Sequence, residues 1–496
     1  MNERLDRTDL PIERLFDEYL STPVAIGEFD RSAFGEKYNK FLRSVPNILK
    51  AVTPSQESKD RATEGVVSGL NRSFHCRYPS LEALDDEKIA RVNDKADQLL
   101  AMVACLPEPE RTVYHDSIKE ACVKCDLVVA MRDYNAASND ESKQQAAERF
   151  MRANIELYGE PDKDTYLSLL SEKIACIATK KRSPEAEQIF QELRNLLPEE
   201  VISDMPLVER FRPSAETIEW MHTVVNELFG DLLSHVPDTD EKITPTQLQE
   251  IFQEIVDEEF VFEQEEDEGE EAKPWTVKLA NVSVISINVK GRRILIPVDR
   301  QPLAVDEVRR LVVHEIGVHM MTAVAGESTD IKPLATGLAG YEDTQEGLGK
   351  VAEQALEGQF KEAGVDHYIT AGLAYFDGRD FCDTHEVKWR MKLLEDLQPG
   401  EVPTAGQIAQ TKKSVISGPI VAITRIYRGT DELPLFKNLN YYNGAVEVWK
   451  YLESICGDDL QLSLLFAGKV DTSKENQRVV LESRSVYGKK DEGEKG

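Results

Sequence analysis

The hexapeptide His314-Glu315-Ile316-Gly317-Val318-His319 constrains this chain more than any other stretch. Apolar residues flank it, Leu311-Val312-Val313 before and Met320-Met321 after. Such a run predicts a buried helix. Burying one ionised carboxylate and two imidazoles is costly unless something compensates them. A divalent metal ion compensates all three at once. Neutral imidazole is a common zinc ligand, and a nearby glutamate can take a proton from zinc-activated water. The competing reading is two hydrogen-bonded core histidines beside a glutamate paired with Arg309 or Arg310. The apolar setting makes that arrangement expensive.

The spacing is unusual. The familiar zinc-protease helix carries H-E-x-x-H, with its histidines four apart on one face. Here they are five apart, which on a regular α-helix separates them by roughly 140°. A single π-bulge absorbs one residue and brings them together, and such bulges are frequent at functional sites. Gly317 lies inside the insertion and tolerates the distortion.

An open zinc site needs a third protein ligand. A second helix is expected from about Thr344 to Gly358, with Glu346 in its first turn. Glu346 is the favoured ligand; Glu342 and Asp343 are further candidates. A bland reading stands beside this one, with Asp343 as N-cap and Glu346 closing a capping box.

These two segments, "HEIGVHMMTA" and "GLAGYEDTQEGLG", resemble the microtubule-associated tyrosine carboxypeptidase family. Its bacterial relatives are known by a "QEGLA" motif; this chain reads Gln345-Glu346-Gly347-Leu348-Gly349, with glycine in place of the alanine, a mild change at a helical position. "ELYGEPDKDTYLSLL" at Glu156–Leu170, "GRRILIP" at Gly291–Pro297, "HYITAGLAYFDGRDF" and "RIYRGTDELPLFKNLNYYNG" extend the similarity over roughly residues 75 to 470. The resemblance implies a zinc metallopeptidase with one ion per chain. His314, His319 and Glu346 would hold the metal, and Glu315 would be the general base. Eukaryotic members remove a C-terminal tyrosine from tubulin tails, which implies a peptide or protein C-terminus as substrate and an aromatic preference.

Peptide hydrolysis also needs a donor for the charge that develops on the scissile oxygen. Tyr368, His385, Tyr427 and the arginines of Arg425-Ile426-Tyr427-Arg428 are candidates. A carboxypeptidase further needs a cation for the terminal carboxylate, which the arginine fork binds bidentately. Val421–Tyr427 alternates like a strand, placing Arg425 and Tyr427 on one face and Arg428 on the other. An edge strand with solvated arginines is the plain alternative.

Composition narrows the partners. A net charge of -31 argues against sequence-independent nucleic-acid binding, which needs basic patches, and against anionic membranes. It would also repel an acidic tubulin-like tail at long range. Met1–Leu20 is charged throughout, unlike a secretory signal, and no apolar stretch approaches a membrane span. Seven cysteines in a chain this long do not read as a disulfide framework. A cytoplasmic location follows as the expectation. Cys122-Val123-Lys124-Cys125 lacks a second pair and reads as ordinary helix packing.

Along the chain, residues 1–75 read as a leader, charged and partly ordered to about residue 45 and then polar loop. Residues 76–262 read as a helical region, with Glu216–Leu233 and Thr246–Val256 among its helices. The acidic loop, 263–273, contains seven carboxylates in the nine positions Glu263–Glu271; a solvated, disordered loop is its expected state. Residues 274–470 form the expected zinc domain. Strands are expected at Trp275–Leu279 running into Val282–Val289 and at Arg292–Val298, and helices at Glu386–Asp396 and Val446–Ile455. Residues 471–496 read as a tail, disordered from about Tyr487. The fold class is α+β, predominantly helical, with a zincin-like metal domain carrying a small sheet.

The favoured activity is a carboxypeptidase. An endopeptidase or dipeptidase with the same metal site is one alternative. A regulatory protein with a structural zinc is the other, and a fourth ligand from His367, His385 or Cys382 would favour it. The sequence leaves the oligomeric state open.

Overall fold

The computed structural model describes residues 31–202, 208–260 and 274–488, apart from 283, 328, 330, 332 and 418–420. The acidic block Glu263–Glu271, the first 30 residues of the leader and the last eight residues lie outside the described residues. The fold is predominantly helical with one small sheet, the α+β class expected.

Three apolar cores hold it together. The first joins helices of the N-terminal half, through Leu127, Phe150, Tyr166 and Phe190, to Ile369, Leu373, Val387 and Phe436 far along the chain. The second surrounds the sheet and the hexapeptide. The third packs Phe34, Tyr38, Tyr114 and Ile118 against Leu334, Leu338 and Val470. Cys122 and Cys125 sit on the long helix Glu110–Ala136 at the edge of this third core, unbonded, so that pair does pack as a helix face.

The N-terminal stretch is more ordered than its polarity suggests. Arg31–Ser44 is a helix whose Phe34, Tyr38 and Phe41 form one buried stripe at three- and four-residue spacing. The polar loop expected up to residue 75 contains the helices Ile48–Ala51 and Gln56–Val67 instead. Only Ala62, Gly65 and Val66 of the latter are buried, too few apolar residues to register as a stripe. At the other end, Glu475–Gly488 is helical, with Gln477, Val480 and Leu481 buried.

The sheet has the order β1-β3-β2. β1 (Thr276–Ala280) runs parallel to β3 (Arg293–Pro297), pairing Thr276 with Arg293 and Ala280 with Pro297. β2 (Ser286–Asn288) runs antiparallel to β3, with Ile287 opposite Ile294. β2 is shorter than the run expected over Val282–Val289, because Val289–Gly291 turns as a 3-10 helix into Arg292 at φ 43. The Asn288 side chain accepts the Gly291 N–H there, at 2.9 Å. The outer edge of β1 is covered: Val277 N–H donates to Gln253 Oε1 at 2.8 Å, and Gln249 Nε2 donates to Val277 O at 3.1 Å, both from the helix Pro245–Glu259. Covering an edge this way blocks unwanted strand pairing. β2 is the other edge, and it lies against the hexapeptide helix.

The strand expected at Val421–Tyr427 is a short helix, Ala422–Ile426. Its alternation was misleading because Ala422, Ile423 and Ile426 are all buried at helical spacing.

The helices Tyr341–Leu356 and Asn440–Ser454 cross at van der Waals contact. A Cβ on Gly347 would lie 2.2 Å from the Gly444 carbonyl, and one on Gly444 would lie 2.0 Å from Asp343 O. Backbone, not a flexible side chain, is in the way. Gly444→Ala is therefore expected to destabilise the fold by about 3 kcal/mol through overpacking, read as a lower urea midpoint; an unchanged midpoint would contradict so close a crossing. No helix among the described residues is long and apolar enough to cross a membrane.

Candidate metal centre

The hexapeptide lies in a continuous helical rod: Val305–Leu311 is α-helical, Val312–Met320 is π-helical and Met321–Glu327 is α-helical again. A π-helix bonds i to i+5, so residues five apart stand above one another. The imidazoles of His314 and His319 accordingly face each other, ring centroids 4.8 Å apart at 77°. The sequence led us to expect a single bulge; the wide turn instead spans nine residues. Gly317 has a packing role beyond tolerance, since a Cβ there would come within 2.8 Å of the buried Phe229 ring.

Glu346 projects from the neighbouring helix, Tyr341–Leu356. This helix starts three residues earlier than expected, capped by Gly340 at φ 81. Asp343 is therefore not the N-cap, and the capping-box reading of Glu346 fails. Glu342 and Asp343 face elsewhere. Glu342 forms ion pairs with Lys437 and Lys124, while burial, with Asp471 and Glu447 nearby, pushes the Asp343 carboxyl up to about 7. Glu346 Oε2 stands 3.9 Å from His314 Nε2. One ligand atom each from His314, His319 and Glu346 lies within 4.8 Å of the others, and no further His, Cys, Asp or Glu joins this group among the described residues.

The surrounding contacts orient the imidazoles. Glu353 Oε1 is 2.6 Å from His314 Nδ1, leaving Nε2 directed toward Glu346. Lys350 Nζ holds both Glu353 oxygens, at 2.8 and 3.0 Å. Gln345 Oε1 is 3.5 Å from His319 Nδ1 and accepts from Thr322 Oγ1 at 2.8 Å. A carboxylate on the far nitrogen of a ligating histidine fixes its tautomer and raises its basicity. Sequence reading missed Glu353. Its signal was the spacing Glu346, Lys350, Glu353, one stripe of a single helix. Gly349 is also less neutral than it seemed: a Cβ there would lie 2.6 Å from His314 Cε1.

Glu315 makes no pair with Arg309 or Arg310; the latter is held by Glu357. Burial raises the Glu315 carboxyl to about 7, with His314 opposing and Glu346 reinforcing. His319 is pushed well below the usual imidazole range by burial and then by the His314 and Lys469 charges. For His314, burial disfavours the cation, but the Glu353 bond and charge outweigh it and the pKa rises. Two imidazoles with their outer nitrogens tied, and a carboxylate turned toward the same point, are a donor set suited to a divalent ion.

The expected substrate residues scatter. Tyr368 accepts the Asp162 N–H at 2.8 Å and packs on Tyr442. His385 Nε2 is 2.9 Å from Lys412 O. Tyr427 donates to Arg379 O and pairs with Thr384 Oγ1, each at 2.6 Å. These three are committed to internal hydrogen bonds, none of them to His314, His319 or Glu346. Arg428 is half-buried beside Asn438, its pKa lowered to about 10 by desolvation and by Arg425. Arg425 Nη1 stands 3.4 Å from the Tyr441 hydroxyl. Tyr441 in turn feels Glu346 first and burial second, raising it to about 12. Neither His367, His385 nor Cys382 adds a fourth ligand to the group.

Glu353→Gln should weaken divalent-metal affinity by roughly 10- to 100-fold, measured by competition with a chromophoric chelator. Unchanged affinity would show that Glu353 does not tune the site.

The family model described as microtubule-associated tyrosine carboxypeptidase matches residues 214–387. That span contains the sheet, both helices of the centre, Tyr368 and His385, and it stops short of Arg425. It supports the family read from the two motifs, over a narrower range than residues 75 to 470. No curated protein and no solved structure matches the chain.

Proposed function

We propose, with the family match over residues 214–387 as premise, that this protein is a zinc-dependent peptidase that removes one residue from the C-terminus of a peptide or protein. The observation that carries this reading is the convergence of His314, His319 and Glu346 beside Glu315, which has no ion-pair partner among the described residues.

His314, His319 and Glu346 would hold the ion. When bound, zinc supplies Lewis-acid polarisation of a carbonyl and lowers the pKa of water. The chain's own residues do the rest. Glu315 takes a proton from the attacking water on its carboxylate and delivers it to the departing amine. Glu353 holds the His314 ring and its tautomer through Nδ1. The edge of β2, beside the hexapeptide helix, is where a substrate backbone can add as an extra strand. A set of three protein ligands favours catalysis over a structural ion, which is commonly enclosed by four. The net charge of -31 disfavours strongly acidic tails as substrates and favours neutral or basic peptides; the aromatic C-terminal preference is what the family match implies.

The test is mass spectrometry of a diverse peptide library after incubation with the zinc-loaded protein. Loss of single C-terminal residues supports the reading. Internal cuts would make the enzyme an endopeptidase, and no cleavage at all would remove the peptidase assignment.

A further inference from the structure

Lys469 belongs to neither motif and was not a candidate in the sequence. Its backbone is clamped on both sides: its N–H donates to Leu334 O at 2.7 Å, and its carbonyl accepts the Leu338 N–H at 2.9 Å. The preceding Gly468 packs on Leu334, where an added Cβ would lie 3.0 Å from its side chain. The residue is 7% exposed. Among the described residues its Nζ donates no hydrogen bond; the Tyr341 ring centroid is 6.0 Å away. An ammonium buried this far is costly without an anion. Burial lowers its pKa to about 8 against the opposing charges of Glu346 and Glu315, and in the peptidase reading both carboxylates are already in use.

The other cations around the centre are more committed. Lys350 is held by Glu353. Arg425 faces the Tyr441 hydroxyl, and Arg428 turns to Asn438. Arg300 is the strongest rival, its buried Nε without a partner and its charge beside Glu315 and Glu307. Lys469, though, feels the charge of the metal group's glutamate as well as that of Glu315. A peptide's terminal carboxylate is three bonds from the scissile carbonyl, so its partner must stand close to both.

We propose that Lys469 receives the α-carboxylate of the bound substrate and is thereby the residue that selects a free C-terminus. This rests on the peptidase reading above. The charge is placed in advance on a fixed backbone, so little ordering is needed when the substrate arrives. A C-terminal amide, or an internal peptide bond, leaves the ammonium unpaired.

The experiment compares one peptide with a free and with an amidated C-terminus, on wild type and on Lys469→Met. Methionine keeps the stem and removes only the charge, a change that buried sites tolerate. Wild type should prefer the free end by roughly 100-fold in kcat/KM. In Lys469→Met the preference should collapse to a few-fold, with zinc stoichiometry still one per chain. On the Glu315→Gln background, where nothing is cleaved, calorimetry should show the same collapse in peptide affinity. Lys469→Arg should restore the preference and guards against a folding artefact. Full retention of the preference in Lys469→Met would overturn the inference, as would its loss in Arg300→Met alone. An equal loss on both peptides would assign Lys469 to the scissile oxygen and also overturn it. If wild type cleaves neither peptide, the peptidase reading falls and this inference falls with it.

Discussion

Replacing Glu315 by glutamine is expected to lower kcat by roughly 1,000-fold or more, the scale of a positioned general base, with zinc content unchanged. Glutamine keeps the shape of the side chain and cannot accept the water proton. In the metal-free protein burial raises that carboxyl to about 7 and the nearby Glu346 reinforces the shift. The same shift has a consequence for stability in the metal-free protein. A carboxyl whose folded pKa lies above its unfolded value contributes stability below about pH 4.5 and loses it as pH rises toward 7. Chelated Glu315→Gln should therefore melt higher than chelated wild type at pH 8 and show little advantage at pH 4. Equal melting differences at both pH values would mean that Glu315 is solvated. An unchanged kcat would remove it from the chemistry.

Loss of a metal ligand is the second large effect. His319→Ala and His314→Ala should each reduce bound zinc from one per chain to a small fraction and abolish cleavage, because two remaining ligands seldom retain the ion against competing chelators. Proton competition should follow the histidines. Glu353 raises His314 despite its burial, so zinc must displace a proton from that ring as the pH falls through its raised pKa. Apparent affinity should decline on the acid side, and Glu353→Gln should move that decline to lower pH. Elemental analysis after dialysis and titration of affinity against pH provide the readings. A His319→Ala protein with full zinc content would place the ion elsewhere.

The two halves of the site differed in how legible they were. His314, Glu315 and His319 declare themselves because charged and polar groups in an apolar run demand a shared partner, and the need for a widened turn follows from helix geometry alone. Glu346 was identifiable as a candidate, but its rivals Glu342 and Asp343 could be set aside only once the helix was seen to start at Tyr341 with Gly340 as its cap. Glu353 was visible in principle as part of a stripe with Glu346 and Lys350. Lys469 was not, because it reaches the centre through two backbone hydrogen bonds to a segment more than a hundred residues earlier. Long-range packing also decides the partners of Tyr368, His385 and Tyr427. Their types suit oxyanion chemistry, yet each is hydrogen-bonded to a carbonyl, amide or hydroxyl elsewhere. The short helix Ala422–Ile426 fails for a related reason, since five residues carry either period equally well.

X-ray absorption at the zinc edge on the reconstituted protein tests the central claim most directly. The account predicts one ion per chain bound by nitrogen and oxygen at about 2.0–2.1 Å, with two imidazoles, one carboxylate and one solvent oxygen. That signal should disappear in His314→Ala. A sulfur ligand at about 2.3 Å, or a fourth protein ligand closing the site, would contradict a catalytic metal held by His314, His319 and Glu346.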